Sequence, residues 1–229
     1  MRKLTPLLLV LIAAARSSAG EPDEKGLEII AAAKVATGGT AWDAIQVWHE
    51  TGHALLHSGE AFRYEHWADF QSLKTRNESG QGSERRYGIF DGHAAYESKN
   101  QNFEPRTELD AKLMEFGAYI VCYGFFFPKR FEASFRFEGT RTDHGVPYDV
   151  VRVAPTELYP IDVWVDQKNH RIFRVAYSDG HHTDFSDYRT VGGVTVPFHS
   201  ADAGVGTART DSIAFEPAGS ISFSLARDQ

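Results

Sequence analysis

Between Phe131 and Glu138 the chain alternates strictly: Phe131, Ala133, Phe135 and Phe137 fall on one side, and Glu132, Ser134, Arg136 and Glu138 on the other. A strand with one wet face produces that period of two. Ile161, Val163 and Val165 repeat it with Asp162 opposite, and Phe173, Val175 and Tyr177 repeat it again. The stretch Asp166 to His170 reads as the hairpin connection between these two runs, with Asn169 suited to positive φ. Phe62, Tyr64, Ala68 and Phe70 mark an earlier strand, with Arg63, Glu65 and Asp69 outward. Asp91-Gly92 and Gly192-Gly193 are tight-turn signals between further apolar runs. Short turns between successive strands predict an antiparallel sheet.

Two segments follow helical spacing instead. Leu27, Ile30, Ala31 and Lys34 predict a helix over Glu24–Val35, stopped by Gly38-Gly39. Leu109, Leu113, Phe116, Ile120 and Tyr123 predict a second over Glu108–Tyr123, lying across the sheet. Thr40, with Asp43 three residues on, reads as another helix start. The apolar run Phe116–Pro128 is too short to cross a bilayer. The expected fold class is α+β, mainly antiparallel β.

The N-terminus changes the picture of where the chain works. Arg2 and Lys3 precede an apolar stretch from Leu4 to Ala15, and Ser17-Ser18-Ala19 places small residues at a cleavage position. Residues 1–19 are therefore expected to be an export signal, and 20–229 a single domain in the periplasm or outside the cell. Without Arg2, Lys3 and Arg16 the chain carries 21 basic against 31 acidic side chains, a formal charge of −10. That balance argues against a nucleic-acid partner and against docking on anionic lipid by charge alone. The one cysteine, Cys122, cannot form an intramolecular disulfide and sits in an apolar run, as a small buried hydrophobe would.

Candidate chemistry is sparse. In His49-Glu50-Thr51-Gly52-His53, a helix would put both histidines on one face to hold zinc, with Glu50 as general base of a metallopeptidase. Gly52 costs about 1 kcal/mol in a helix interior relative to Ala. On a strand the two histidines would stand about 13 Å apart and could not share a metal. The stretch Ile45–Leu56 reads better as a strand. His181, His182 and Asp184 could meet only across a turn. There is no Asp-Thr-Gly, Gly-x-Ser-x-Gly, P-loop or Gly-x-Gly-x-x-Gly, and no cofactor is expected.

The segments Val165–Val175 and Ser186–Phe198 resemble the hairpins of outer-membrane lipoprotein-sorting proteins, the LolA/LolB-like half-barrels. Ala33–Asp43 and Tyr64–Asp69 resemble the start of the same kind of domain, which in some bacterial relatives precedes a retropepsin-like protease domain. The resemblance implies an unclosed antiparallel barrel of about ten strands wrapped around helices. Its concave face would hold acyl chains or another hydrophobic ligand, and His49–His53 would lie on the first strand. The expectation is a non-enzymatic binder of a lipid or other hydrophobic small molecule. Its candidate lining is Phe131, Phe135, Phe137, Val163, Val165, Phe173, Val175 and Tyr177. The alternatives are a secreted zinc metallopeptidase and a noncatalytic scaffold for an envelope protein partner.

Overall fold

The computed structural model describes residues 23–80, 85–99 and 102–225. The expected export signal lies outside the described residues. The first half of the chain forms helix α1 (Glu24–Ala36), a 3-10 turn at Gly39–Ala44, and six strands. These are β1 (Val47–Leu56), β2 (Ala61–Asp69), β3 (Thr75–Ser79), β4 (Arg86–Phe90), β5 (Ala95–Lys99) and β6 (Asn102–Pro105). Helix α2 (Glu108–Val121) and a second 3-10 turn at Gly124–Phe126 follow. Seven strands complete the chain. They are β7 (Ala133–Asp143), β8 (Val146–Pro155), β9 (Ile161–Asp166) and β10 (Ile172–Tyr177), then β11 (His182–Val191), β12 (Val194–Asp202) and β13 (Gly206–Glu216).

All thirteen strands belong to one sheet, in the order β6-β5-β4-β3-β2-β1-β13-β12-β11-β10-β9-β8-β7. Every pairing is a hairpin between sequence neighbours except β1 with β13, which joins the two halves at the centre. The edges are therefore β6 and β7, and the chain between them is α2 with its Phe-rich continuation. A segment that must travel from one edge to the other crosses the concave face, and this is what fills the half-barrel.

The edge at β7 is covered locally. The Asp23 side chain accepts from Lys25 N at 3.0 Å as the cap of α1, and from Phe137 N at 2.8 Å. Its own N–H donates to Phe135 O at 2.9 Å. Unpaired strand backbone is thereby satisfied. A Cβ on Gly26 would sit 3.1 Å from Arg136 N, so this glycine lets α1 approach β7 closely. Helix α2 begins with a capping box: Asp110 N donates to Thr107 Oγ1 and Thr107 N to Asp110 Oδ2, each at 3.1 Å. Tyr123, at φ 48°, ends it.

The interior cluster joins Ile30 and Ala33 of α1 to Trp42, Trp48, Phe70, Tyr119, Phe125, Phe126, Val151, Val163 and Val196. Trp42 is its hub, with Tyr123 at 4.8 Å and Phe126 at 5.3 Å between ring centroids. The Trp42 Nε1 donates to Thr37 Oγ1 at 3.2 Å, so the indole brings no orphaned polar atom into the core.

Several expectations need correction. The sheet has thirteen strands rather than about ten; β3 (Thr-Arg-Asn-Glu-Ser) carries no apolar alternation and forms because β2 and β4 pair with it on both sides. Thr40 does not cap an α-helix but lies within the first 3-10 turn, with Gly38 at φ 142° ahead of it. The left-handed residue of the β9–β10 turn is His170, at φ 56°, not Asn169.

Candidate functional site

The alternating set does not form one surface. Phe135, Val163, Val165 and Val175 are at most 3% exposed and belong to the interior cluster, with Phe131 and Tyr177 packed against it. Phe131 precedes β7, its N–H bonded to Phe127 O at 2.9 Å. Phe137 is covered by α1, the Lys25 ammonium standing 3.5 Å from its ring centroid. Phe173 breaks the expectation that it shares a face with Val175 and Tyr177. The β9–β10 register shifts between Ile172 and Arg174, so Ile172 takes the inward position. Phe173 instead stacks on Tyr148 at 4.5 Å, beneath the Arg174 guanidinium.

The space in the half-barrel lies on either side of α2. A cavity of about 510 Å³ separates α2 from β3, β4 and β5. Leu113, Met114, Phe116, Gly117 and Ile120 line it from the helix, with Asn77, Gly88 and Glu97 on the facing strands. Tyr177 lines the same cavity. Its hydroxyl meets Thr183 Oγ1 at 3.1 Å, Thr183 donates on to Asp202 at 2.7 Å, and burial pushes the phenol up to about 12. Arg106, which also lines it, is paired with Glu97 at 3.1 Å and Asp110 at 3.3 Å.

A second cavity of about 240 Å³ lies toward the C-terminal end of α2. Ile120 borders both. Its apolar walls include Val121, Phe125, Ile172, Val175 and Phe185. Its floor is polar. The Glu50 carboxylate accepts from Thr210 Oγ1 at 2.6 Å, from Tyr64 Oη at 2.7 Å and from Trp48 Nε1 at 3.1 Å. His66 is the cross-strand partner of Glu50, and Asn77 that of His66. Burial holds the His66 imidazole below its ordinary value, with Glu50 pulling it back up and His49 adding to the depression. The Tyr64 phenol is raised strongly by burial, with the Glu50 charge adding to it.

The histidines of the His49–His53 motif stand on β1, not on a helix. Glu50, one residue on, faces the concave side, and His49 the other. His49 Nδ1 lies 2.6 Å from Glu216, its Nε2 lies 2.8 Å from Glu65, and its ring stacks on Trp67 at 4.6 Å. His53 pairs with Asp211 at 2.9 Å. Among the described residues no group of three His, Cys, Asp or Glu side chains is placed to hold a metal ion. His181 lies 3.6 Å from Asp179, and His182 lies 3.9 Å from Asp184. The Cys122 thiol is fully buried and raised well above its ordinary value by that burial, which suits packing and not nucleophilic attack.

Sequence reasoning passed over the α2 cavity lining and the Glu50 cluster. Gly117 carried a signal: a glycine amid the apolar stripe of a helix needs a packing reason. The Glu50 cluster had none, because Thr210 lies 160 residues away and meets Glu50 only through the β1–β13 pairing.

One antiparallel sheet whose two end strands do not pair with each other, curled around a helix that runs between those edges, is an open half-barrel of the LolA type. Solved structures share it. A domain described as an outer membrane lipoprotein-sorting protein from Vibrio parahaemolyticus has a TM-score of 0.55 at 13% identity, over 85% of this chain and 94% of that one. A LolA superfamily protein from Nitrosomonas europaea scores 0.55 at 12% identity, over 84% and 94%. A DUF1329 family protein from Desulfovibrio piger scores 0.57 at 8% identity, over 87% and 95%. No protein-family model matches the sequence, and no curated protein matches it. At these identities the likeness is one of fold. No helix among the described residues is long and apolar enough to cross a membrane.

Proposed function

We propose that this chain is an exported, non-enzymatic binding protein that takes up a lipid or another hydrophobic molecule inside the half-barrel. The observation that carries the reading is the cavity of about 510 Å³ between α2 and β3–β5, walled by Leu113, Met114, Phe116 and Ile120 of the helix, with Gly88 and Tyr177 among the residues opposite. A cavity of this size, apolar along its helical wall and edged by polar groups such as Asn77, Glu97 and Arg106, is the usual form of a small-molecule site. Transfer of an alkyl chain into it would be favoured by about 25 cal/mol per Å² of apolar surface removed from water.

Of the alternating strand residues, Tyr177 and Val175 would touch the ligand. Phe131, Phe135, Phe137, Val163 and Val165 would support the wall behind. The strand conformation of the His49–His53 motif supports binding over zinc-dependent peptide hydrolysis. Lipoprotein sorting, the role for which the Vibrio domain is described, agrees with a cargo that carries acyl chains.

Native mass spectrometry of the protein recovered from the envelope of its own cells tests the reading. An added hydrophobic mass that leaves on denaturation is the expected result. A bare mass, together with no uptake of decanol by the delipidated protein, would overturn it.

A further inference from the structure

The smaller cavity has a built polar floor that an apolar chain alone would not need. On the concave face, three donors converge on the Glu50 carboxylate, which serves them only as an acceptor. Beside it, directly across the β1–β2 pair, the Nε2 of His66 is shut off from solvent and has no hydrogen-bond partner in the protein. A buried polar nitrogen left unpaired is costly, so a ligand group that pairs with it recovers that cost. Burial disfavours the charged ring, and a neutral imidazole offers one accepting nitrogen. Among the described residues that line this cavity there is no lysine or arginine. Glu50 is therefore an acceptor there without a lysine or arginine to receive an anion, and the other histidine of the lining, His199, is engaged through Nδ1 by Ser186 at 2.8 Å. Ile120 borders this cavity and the larger one alike, so a ligand could lie in both.

We infer that the smaller cavity is a head-group pocket, in which Glu50 and His66 receive the hydrogen-bond-donating, non-anionic end of an amphiphile, a hydroxyl or an amine. The inference rests on the binding function proposed above and names its ligand class. The alkyl part lies beyond Ile120 in the larger cavity. A free carboxylate or phosphate is excluded, since its oxygens would face the oxygens of Glu50 without a counter-charge.

The test uses decanol, decylamine and decanoate, titrated into the delipidated protein by calorimetry. Decanol and decylamine should bind at least about tenfold more tightly than decanoate. Glu50→Gln should narrow that gap severalfold, and His66→Phe should weaken decanol while leaving decanoate unchanged. The comparison of the three probes on the unaltered protein needs no variant, so it stands even where a substitution unfolds the chain. Equal affinity for all three probes would overturn the head-group pocket while leaving the binding function intact. Preference for decanoate would overturn it too. Uptake of none of them would bring down the binding function, and the pocket with it.

Discussion

Gly52 and Tyr64 stand opposite each other across the β1–β2 pair, and a Cβ on Gly52 would lie 2.5 Å from the Tyr64 Oη and 2.4 Å from Arg209 O. The glycine that weakens a helix in the His49–His53 motif is thus the one that leaves room for a tyrosine on the sheet. That tyrosine then reaches Glu50 at 2.7 Å. Gly52→Ala should force the ring or the strand to move and lower stability by about 1–3 kcal/mol, the usual range for overpacking. Urea denaturation measures the loss. An unchanged midpoint would show that β1 and β2 are not in this register.

Tyr64→Phe removes one of the three donors to Glu50 and leaves Thr210 and Trp48 in place. A hydrogen bond to a carboxylate contributes about 1.5–3 kcal/mol. A loss in that range is expected, smaller if solvent enters the cavity to replace the hydroxyl. The paired variant Thr210→Val should cost a similar amount. The double variant should cost more or less than the sum, because both hydroxyls bind the same Glu50 Oε1. Strict additivity in the urea midpoints would deny the shared acceptor.

His66 predicts how stability changes with pH. Its folded value is depressed by burial, while in the unfolded chain it titrates near the ordinary 6.5. Above that pH neither state binds the proton and the group contributes nothing. As pH falls below it, the unfolded state binds a proton that the folded state refuses. Stability then drops by up to about 1.4 kcal/mol per pH unit, until the folded value is reached. The groups around the ring are Glu50, Tyr64 and Asn77 on its own face, with His49 behind. His66→Phe should flatten this part of the profile. Thermal unfolding of both proteins between about pH 7 and about pH 5 reads the difference. Parallel curves would mean that His66 is not buried.

The strands with one wet face were legible because burial on one side imposes the period of two, and Val163 with Val165 shows it cleanly: both are wholly buried. The helix at Glu108–Val121 was legible for the corresponding reason at three- and four-residue steps. Phe173 was not, since a one-residue register shift moves an apolar side chain to the other face without leaving a mark in the pattern. β3 was not, since its pairing is decided by its neighbours and not by its side chains. The Glu50 cluster was hidden most deeply. Its members are polar residues scattered from Trp48 to Thr210, and only the central pairing of the first strand with the last brings them together.

The motif that looks most like zinc chemistry should prove indifferent to metal. His49→Ala and His53→Ala are expected to leave the metal content of the purified protein unchanged by plasma mass spectrometry. Their stability costs should differ. His49 is part-buried between Glu65, Glu216 and Trp67, and its loss should cost about 1–3 kcal/mol, since it leaves two half-buried carboxylates without a partner. His53 is half exposed beside an exposed Asp211, and such a pair contributes about 0–1 kcal/mol. A stoichiometric zinc lost in His49→Ala would restore the peptidase reading.

Gly117 separates the binding function from the stability of the fold. It stands within α2, lines the larger cavity, and an added Cβ would meet nothing within 4 Å. Its φ is not in the left-handed region, so any side chain fits the backbone there. Glycine in a helix interior is about 1 kcal/mol less favourable than alanine. Gly117→Ala should therefore raise the urea midpoint and leave decanol binding nearly intact. Gly117→Trp should fill the cavity from the same position, abolish binding, and leave the midpoint at or above that of the unaltered protein. Phe173→Ala, beneath Arg174 on the opposite face, is the control: it should reduce stability without touching uptake. Because the blocking variant adds atoms to empty space instead of removing them from the core, lost binding cannot be ascribed to a damaged fold. If Gly117→Trp takes up decanol as well as the unaltered protein does, the ligand does not lie beneath α2.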